Sequence, residues 1–333
     1  MIIDDVILYP LRFEPIYKNY VWGGTRFGVL FGRVIPVGWS SAAESWETAD
    51  FQDNISIIKN GELRGYSLRD VLLARSNDLL GSDYANCHIT NFPLLLKYLD
   101  ASSTLSIQVH PDDELARSMS FDYVGKSEAW VVVEAEPGSV VWIGTEGDYS
   151  NDDLRMLITR GGIESVMKRI EVHKGDCFYI PPGTLHALGC GVVVAEIQQP
   201  SDVTFRVFDW NRVDWNGQPR KLHKEEAIHA IKTDKIINPI IPKQTNIPNR
   251  EQLVRDPHFL LNRWTFDKPT TINLNQQFSL WTVLNGTVKI GQEILNRGDT
   301  ILTPASLQEI EWIPIDDSKI TLAECKVPIN HKK

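Results

Sequence analysis

Two short segments carry the residue types that bind and activate a divalent cation. The first is Leu105-Ser106-Ile107-Gln108-Val109-His110-Pro111-Asp112-Asp113. Side chains on a strand repeat every two residues, so Ser106, Gln108 and His110 share one face while Ile107 and Val109 turn to the other. A hydroxyl, an amide and an imidazole in one row describe a polar cavity wall backed by a core. The second segment is Gly175-x5-Pro181-x-Gly183-x2-His186. Pro181-Pro182-Gly183 turns the chain sharply, and the strand that follows presents His186 inward. Glu128, in Gly125-Lys126-Ser127-Glu128-Ala129-Trp130, opens a further strand and offers an anionic oxygen. Gln108, His110, Glu128 and His186 together suit one divalent cation per chain and leave positions open for water or substrate, as a catalytic site requires. The glycine–proline pattern by itself also serves an ordinary β-turn. A solitary strand histidine is usually a hydrogen-bonded core or surface residue, and that plainer account covers His88, His173, His223, His229, His258 and His331, whose neighbours offer no comparable setting.

The elements that must position these residues read mainly as strands and turns. Residues 93–99, 129–135, 139–143, 176–180 and 192–198 are short apolar or β-branched runs, with Pro137-Gly138, Gly175-Asp176 and Pro181-Pro182-Gly183 among the turn signals between them. Many short strands at such spacing indicate a β-sandwich or jelly-roll barrel. Two stretches read as helix. Residues 67–80 place Leu68, Val71, Leu72, Leu79 and Leu80 on an apolar stripe, and residues 151–160 open on Asn151-Asp152-Asp153, which suits a helix N-terminus. A polar break with Pro239, Pro242 and Pro248 spans about 233–250. Beyond it Arg297-Gly298-Asp299-Thr300-Ile301-Leu302-Thr303-Pro304 echoes Gly175 to Pro181, an internal repeat of one β unit whose second copy has no histidine where the first has His186. The expected division is therefore a metal-binding unit over 1–240 and a second β unit without a metal site over 250–333.

Composition narrows the classes. The 333 residues are 42% hydrophobic and 23% charged, enough for a sizeable core and roughly two domains. A formal net charge of −9 argues against a general affinity for nucleic acid or anionic membrane. Cys87, Cys177, Cys190 and Cys325 form no CxxC pair, so reduced thiols in a cytoplasmic protein are expected rather than a disulfide framework. The N-terminus carries acids where a signal peptide carries basic residues, and no apolar run approaches the ~20 residues that span a bilayer.

The chain resembles a known family. Leu105–Asp113, Gly125–Trp130, Ile180–Leu188 (IPPGTLHAL) and Ser201–Arg212 (SDVTFRVFDWNR), with Tyr20–Gly24 (YVWGG) and Ala43–Thr48 (AESWET), are similar to type I mannose-6-phosphate isomerases in their compact bacterial form. The motifs run in the family order over about residues 9–215. The resemblance implies a mainly β fold of two cupin-type jelly-roll barrels with a few short helices. It implies zinc, with other divalent metals also compatible, on Gln108, His110, Glu128 and His186. It further implies an active-site arginine at Arg206 and a glutamate at Glu196. Larger members carry a long helical insertion between the last two ligands. Here Glu128 and His186 are 58 positions apart, so no large inserted helical domain is expected. Cys190 stands where the general cupin pattern has Asn.

The implied reaction moves a proton between C1 and C2 of a sugar phosphate, the small-molecule partner, through a cis-enediol. Arg206, a permanent cation with fixed donors, would stabilise the enediolate oxygen. Glu196, in the apolar run Val192–Ile197, reads either as the proton-transfer group with a pKa raised by burial or as a structural carboxylate paired with Lys or Arg. A metal-bound water, His110 or Glu128 are the other acid–base candidates. Lys97 in an otherwise apolar strand, Lys126 and Ser106 are expected to meet the phosphate, with Arg212 a further candidate. Trp22, one of ten tryptophans, is either a sugar-facing wall or core filling. Two rival readings of the same site are a non-enzymatic sugar-phosphate-binding cupin and an iron-dependent cupin oxygenase.

Overall fold

The computed structural model describes residues 3–85, 90–120, 124–232, 237–315 and 317–328. Cys87, His88, His331 and part of the polar break, residues 233–236, lie outside the described residues. The chain is mainly β, built from two pairs of antiparallel sheets. The first pair joins a six-stranded sheet, in the order Ile16–Lys18, Glu44–Thr48, Leu95–Ala101, Val192–Gln198, Glu128–Ala135, Cys177–Ile180, to a five-stranded one, Phe205–Phe208, Ile107–Val109, His186–Leu188, Val140–Thr145, Met167–Glu171. The second pair repeats the plan. Its six-stranded sheet runs Lys243–Gln244, Arg250–Arg255, Leu260–Phe266, Ile320–Lys326, Ser279–Asn285, Thr300–Thr303, opposite a four-stranded sheet. The echoed segments, Cys177–Ile180 and Thr300–Thr303, occupy the same edge in the two sheets.

The apolar runs are continuous because both faces of the large sheets are covered. In the strand Val192–Gln198, Val192 and Val194 face the interior of the first sandwich with Leu99, Trp130 and Val132. Val193, Ala195 and Ile197 face the other way, into a core shared with Leu253, Leu261, Leu280, Leu302 and Cys325 of the second sandwich. That shared core also takes the N-terminal segment through Leu8, Leu11 and Phe13 and the helical layer through Leu68, Val71, Leu79 and Leu80. Polar ties fasten the same junction. Arg12 meets Asp299 at 2.9 Å, Arg297 donates to the Val133 carbonyl at 2.6 Å, and the Tyr98 and Thr282 hydroxyls pair.

Two helical details differ from the sequence reading. The stretch 67–80 is two helices, Leu68–Ala74 and Ser76–Leu80, broken at Arg75. The Arg75 guanidinium reaches back to the carbonyls of Ile3, Asp4 and Val6, which fixes the backbone at the break. The helix Asn151–Arg160 is capped by Ser150 rather than by its opening acids, and Asp153 completes a capping box. It is the one α-helix between Glu128 and His186, as the short spacing required. Among the described residues no helix is long and apolar enough to cross a membrane.

Gly23 shows why the Tyr20–Gly24 motif needs glycine. A Cβ there would lie 2.6 Å from the Ala43 nitrogen and 2.7 Å from its Cα, both backbone atoms of a buried residue just before the strand Glu44–Thr48. Gly23→Ala is expected to destabilise the fold by about 1–3 kcal/mol through this overpacking, measured as a shift of the urea unfolding midpoint against the parent. An unshifted midpoint would show that the two backbones separate without cost.

Candidate functional site

The inward rows of five strands meet inside the first sandwich. The short strand Ile107–Val109 pairs with His186–Leu188 and sets Gln108 opposite His186. On the facing sheet, Glu196 lies between Lys97 on one neighbouring strand and Trp130 on the other, and Gln198 lies beside Glu128. These strands were chosen for the site by their apolar alternation. The inward row that supplies Val192 and Val194 ends in Glu196, and the row that supplies Trp130 begins with Glu128.

His110, Glu128 and His186 are buried, and their ligand atoms lie within 4.8 Å of one another; among the described residues no other group of His, Cys, Asp and Glu is so placed. His186 Nδ1 donates to the Thr184 carbonyl at 3.0 Å, and His110 Nδ1 to the Val203 carbonyl at 2.9 Å. Each bond puts the ring proton on Nδ1 and leaves the Nε2 lone pair on the side of Glu128, the arrangement metal-ligating histidines adopt. Glu128 Oε1 lies 3.2 Å from His186 Nε2, and Oε2 lies 3.7 Å from His110 Nε2. Lys126 Nζ approaches Oε2 at 2.7 Å, yet neither carboxylate oxygen is satisfied by a hydrogen bond of good geometry. The imidazole Nε2 atoms meet only the Gln108 amide nitrogen, at 3.2 Å from His186, and the Lys126 ammonium, at 3.4 Å from His110. A buried carboxylate without hydrogen bonds of good geometry beside two such neutral imidazoles fits a divalent cation. Gln108 completes the set once its amide turns, since its Nε2 is the atom now facing His186 Nε2, at 3.2 Å.

Electrostatics favour the ligand forms. Burial, with help from Lys126, holds His110 well below the usual imidazole range; burial pushes His186 down to about 4. Both rings are therefore neutral donors near pH 7. Burial lifts Glu128 to about 7 against the pull of Lys126, a cost that a bound cation removes.

A cavity of about 340 Å³, within the range of small-molecule sites, borders the cluster through Gln108 and Lys126. Trp22, Lys97, Ser106, Gln108, Lys126, Glu196 and Arg206 all line it. Trp22 meets both descriptions offered by the sequence, since it is packed in the core and also forms cavity wall, stacked on Tyr20 at 5.7 Å. Glu196 departs from the expected raised pKa. Burial raises it, but Lys126 at 3.6 Å and Lys97 at 3.5 Å outweigh burial, and its Oε2 accepts from Trp130 Nε1 at 2.9 Å, so the group is lowered and ionised. The two lysines are accordingly matched by carboxylates: Lys97 by Glu44 and Glu196, Lys126 by Glu128 and Glu196. Arg206 donates to the Lys221 carbonyl at 3.0 Å, while its buried Nε has no partner. Arg212 is not part of the wall; it joins the Thr104 carbonyl to Asp209.

The cavity also contains residues the sequence reading left unassigned. Glu44 accepts from Trp46 Nε1 at 2.6 Å, and burial raises its pKa while Lys97 opposes. Its signal was present in the AESWET motif, where Glu44 and Trp46 alternate onto one face. Asp202, Thr204, Arg220 and His223 complete the wall. His223 had been set aside with the ordinary histidines; it lines the cavity because the Arg206 backbone N–H donates to its Nδ1 at 3.2 Å. A larger cleft of about 710 Å³ between the two sandwiches, bordered by Lys174, Arg263 and Thr321, contains none of these groups.

Residues 10–145 match the family model described as phosphomannose isomerase type I, catalytic domain. The chain is 34% identical to mannose-6-phosphate isomerase of Streptococcus mutans over 309 residues, covering 91% of this chain and 95% of the relative. It is 31% identical to mannose-6-phosphate isomerase ManA of Bacillus subtilis over 91% of this chain and 95% of that one. The crystal structure of the mannose 6-phosphate isomerase from Bacillus subtilis superposes with a TM-score of 0.85 at 29% identity, over 96% of this chain and 99% of that chain.

The triad makes a direct expectation. His186→Ala or His110→Ala purified from metal-replete medium should carry well under one equivalent of divalent metal by elemental analysis, against one for the parent. Full retention of the metal in both variants would exclude these rings as ligands.

Proposed function

Because the chain belongs to the type I phosphomannose isomerase family, we infer that it is a mannose-6-phosphate isomerase, a metal-dependent enzyme that interconverts mannose 6-phosphate and fructose 6-phosphate. The observation that carries the reading is the buried His110–Glu128–His186 cluster, whose neighbours Gln108 and Lys126 line a cavity together with Arg206 and Glu196. Two imidazoles, a carboxylate and an amide oxygen are borderline-to-hard donors, and we assign the ion as zinc, held by Gln108, His110, Glu128 and His186. Such an ion polarises a carbonyl and lowers the pKa of nearby oxygens. The catalytic unit is assigned to residues 1–240, and residues 250–333 form the supporting unit.

The isomerisation removes a proton from one of C1 and C2 and returns it to the other. Glu196 is ionised and buried in the wall, so it can accept that proton without first being deprotonated. Lys97 and Lys126 hold the carboxylate in place and face the same space, where their ammonium groups donate to sugar oxygens. Ser106, whose hydroxyl lies 3.4 Å from Gln108 Oε1, offers a further donor beside the ligand row. Arg206 stands opposite Gln108 in the paired strands and carries a buried, unpartnered Nε donor. A donor of fixed position is what a developing enediolate oxygen requires. Trp22 supplies an apolar wall for a sugar face.

Two measurements test this. In a coupled assay, mannose 6-phosphate should yield fructose 6-phosphate, activity should vanish on chelation, and zinc should restore it; absence of turnover in the metal-loaded parent would end the isomerase reading. Arg206→Ala should lower kcat by about 100-fold or more with metal content unchanged, as for loss of an oxyanion donor. An unaltered kcat would remove Arg206 from the chemical step.

A further inference from the structure

We propose that Arg220, fixed at the outer end of the cavity by Asp209, takes the phosphate group of the substrate. This rests on the isomerase reading and adds to it the residue that selects a phosphorylated sugar. Phosphate on C6 lies at the far end of a hexose from C1 and C2. With the reacting carbons beside His110, Glu128 and His186, the phosphate must therefore lie away from Lys97 and Lys126.

The charge distribution agrees. At the inner end each lysine is already matched: Lys97 lies 3.7 Å from Glu44 and 3.5 Å from Glu196, and Lys126 lies 2.7 Å from Glu128 and 3.6 Å from Glu196. Those side chains of the two lysines are only 3% and 5% exposed. A dianion placed there would meet three carboxylates. At the outer end the balance reverses. Arg212 and Arg220 share the single carboxylate of Asp209, and Arg206 beside them has no carboxylate partner among the described residues. The mutual repulsion is strong enough that Arg220 and Arg212 lower the pKa of Arg206 in addition to its burial. Asp202, also in the wall, offsets part of this excess.

Arg220 is built for the task in a way Arg212 is not. Its Nε and Nη2 donate to the two oxygens of Asp209 at 2.7 and 2.6 Å, which locks the guanidinium plane. Its Nη1 makes no hydrogen bond among the described residues, and the side chain, 20% exposed, lines the cavity. A guanidinium already held in position loses little freedom on binding and presents paired donors to phosphate oxygens. Arg212 instead uses its Nη2 on Asp209 and the Thr104 carbonyl, outside the wall, and so anchors Asp209. Thr204 and His223 line the same cavity. Because His223 Nδ1 accepts from the Arg206 N–H, a neutral His223 carries its proton on Nε2 and is a further donor.

The test uses the metal-loaded enzyme and its Arg220→Gln and Arg220→Lys variants. Arg220→Gln should raise KM for mannose 6-phosphate by about 10- to 100-fold, the worth of a lost charged hydrogen-bond pair, with kcat little changed because phosphate binding is uniform between ground and transition states. The inhibition constant of inorganic phosphate should rise by a similar factor, and metal content should stay at that of the parent. Arg220→Lys keeps the charge but loses the fork, so its KM should fall between the two; it also decides the matter should circular dichroism show Arg220→Gln unfolded. Unchanged KM and phosphate inhibition in a folded variant, or a fall in kcat at constant KM, would overturn the assignment. Calorimetric binding of inorganic phosphate to parent and variants needs no turnover, so it separates failure of the Arg220 site from failure of the isomerase reading.

Discussion

The structure depends on keeping several charges dry inside one β-sandwich. Glu128, Glu196, Lys97, Lys126, His110 and His186 are all 4% exposed or less. An isolated buried ion costs several kcal/mol even after relaxation, so such a set persists only when each member has partners. The lysines and Glu196 achieve this among themselves. Glu128 achieves it only in part: Lys126 lies 2.7 Å from one oxygen, but neither oxygen has a hydrogen bond of good geometry and the two imidazoles beside it are neutral. The proposed divalent cation would complete the balance, in the room that the polar inner face leaves.

That room exists because other elements take over the usual tasks of a sheet. The six-stranded sheet bearing Glu196 and Lys97 is covered on its outer face by the second sandwich and by the N-terminal helices, so its inner face is free to be polar. The second sandwich also reaches the ligand strand directly. Asp256 accepts from Tyr179 at 2.5 Å and from Ser127 at 3.3 Å, and Ser127 stands between Lys126 and Glu128. The Ser127 backbone N–H donates to Gln199, which donates in turn to Asp113. Two site residues of opposite charge thus hang on a segment whose middle residue is held from outside the cavity.

Much of this was legible because strand periodicity is short. Residues 129–135 and 192–198 read as strands from their apolar runs, and alternation in Leu105–Asp113 put Ser106, Gln108 and His110 on one face. His186 was legible from the Pro-Pro-Gly turn before it. What could not be read came from pairings between distant segments. The apolar run around Glu196 suggested a raised pKa, yet Lys97 and Lys126, 99 and 70 positions away, reverse it. His223 looked ordinary since its setting is made by the backbone of Arg206 rather than by its own neighbours. The helix break at Arg75 depends on carbonyls some seventy residues earlier.

The second sandwich isolates what makes the first a metal site. In the first, Glu196 lies between Lys97 and Trp130; in the second, Glu324 lies between Asn262 and Trp281 on strands of the same order. Glu324 is as buried as Glu128, but every side of it is satisfied: Lys326 at 2.7 Å, Asn262 at 3.1 Å, Trp264 at 2.8 Å and Ser279 at 3.2 Å. A carboxylate on this central strand is therefore compatible with either a metal site or a closed polar core. The difference lies at the start of the neighbouring strand, where the first sandwich has Glu128 and the second has Ser279, and on the facing sheet, where Ile310 and Trp312 fill the interior that His186 opens in the first. A serine contributes one weak donor where Glu128 contributes a buried charge that Lys126 alone approaches closely, at 2.7 Å. The proposed cation site in this architecture thus follows the carboxylate left without hydrogen bonds of good geometry rather than the carboxylate that has them.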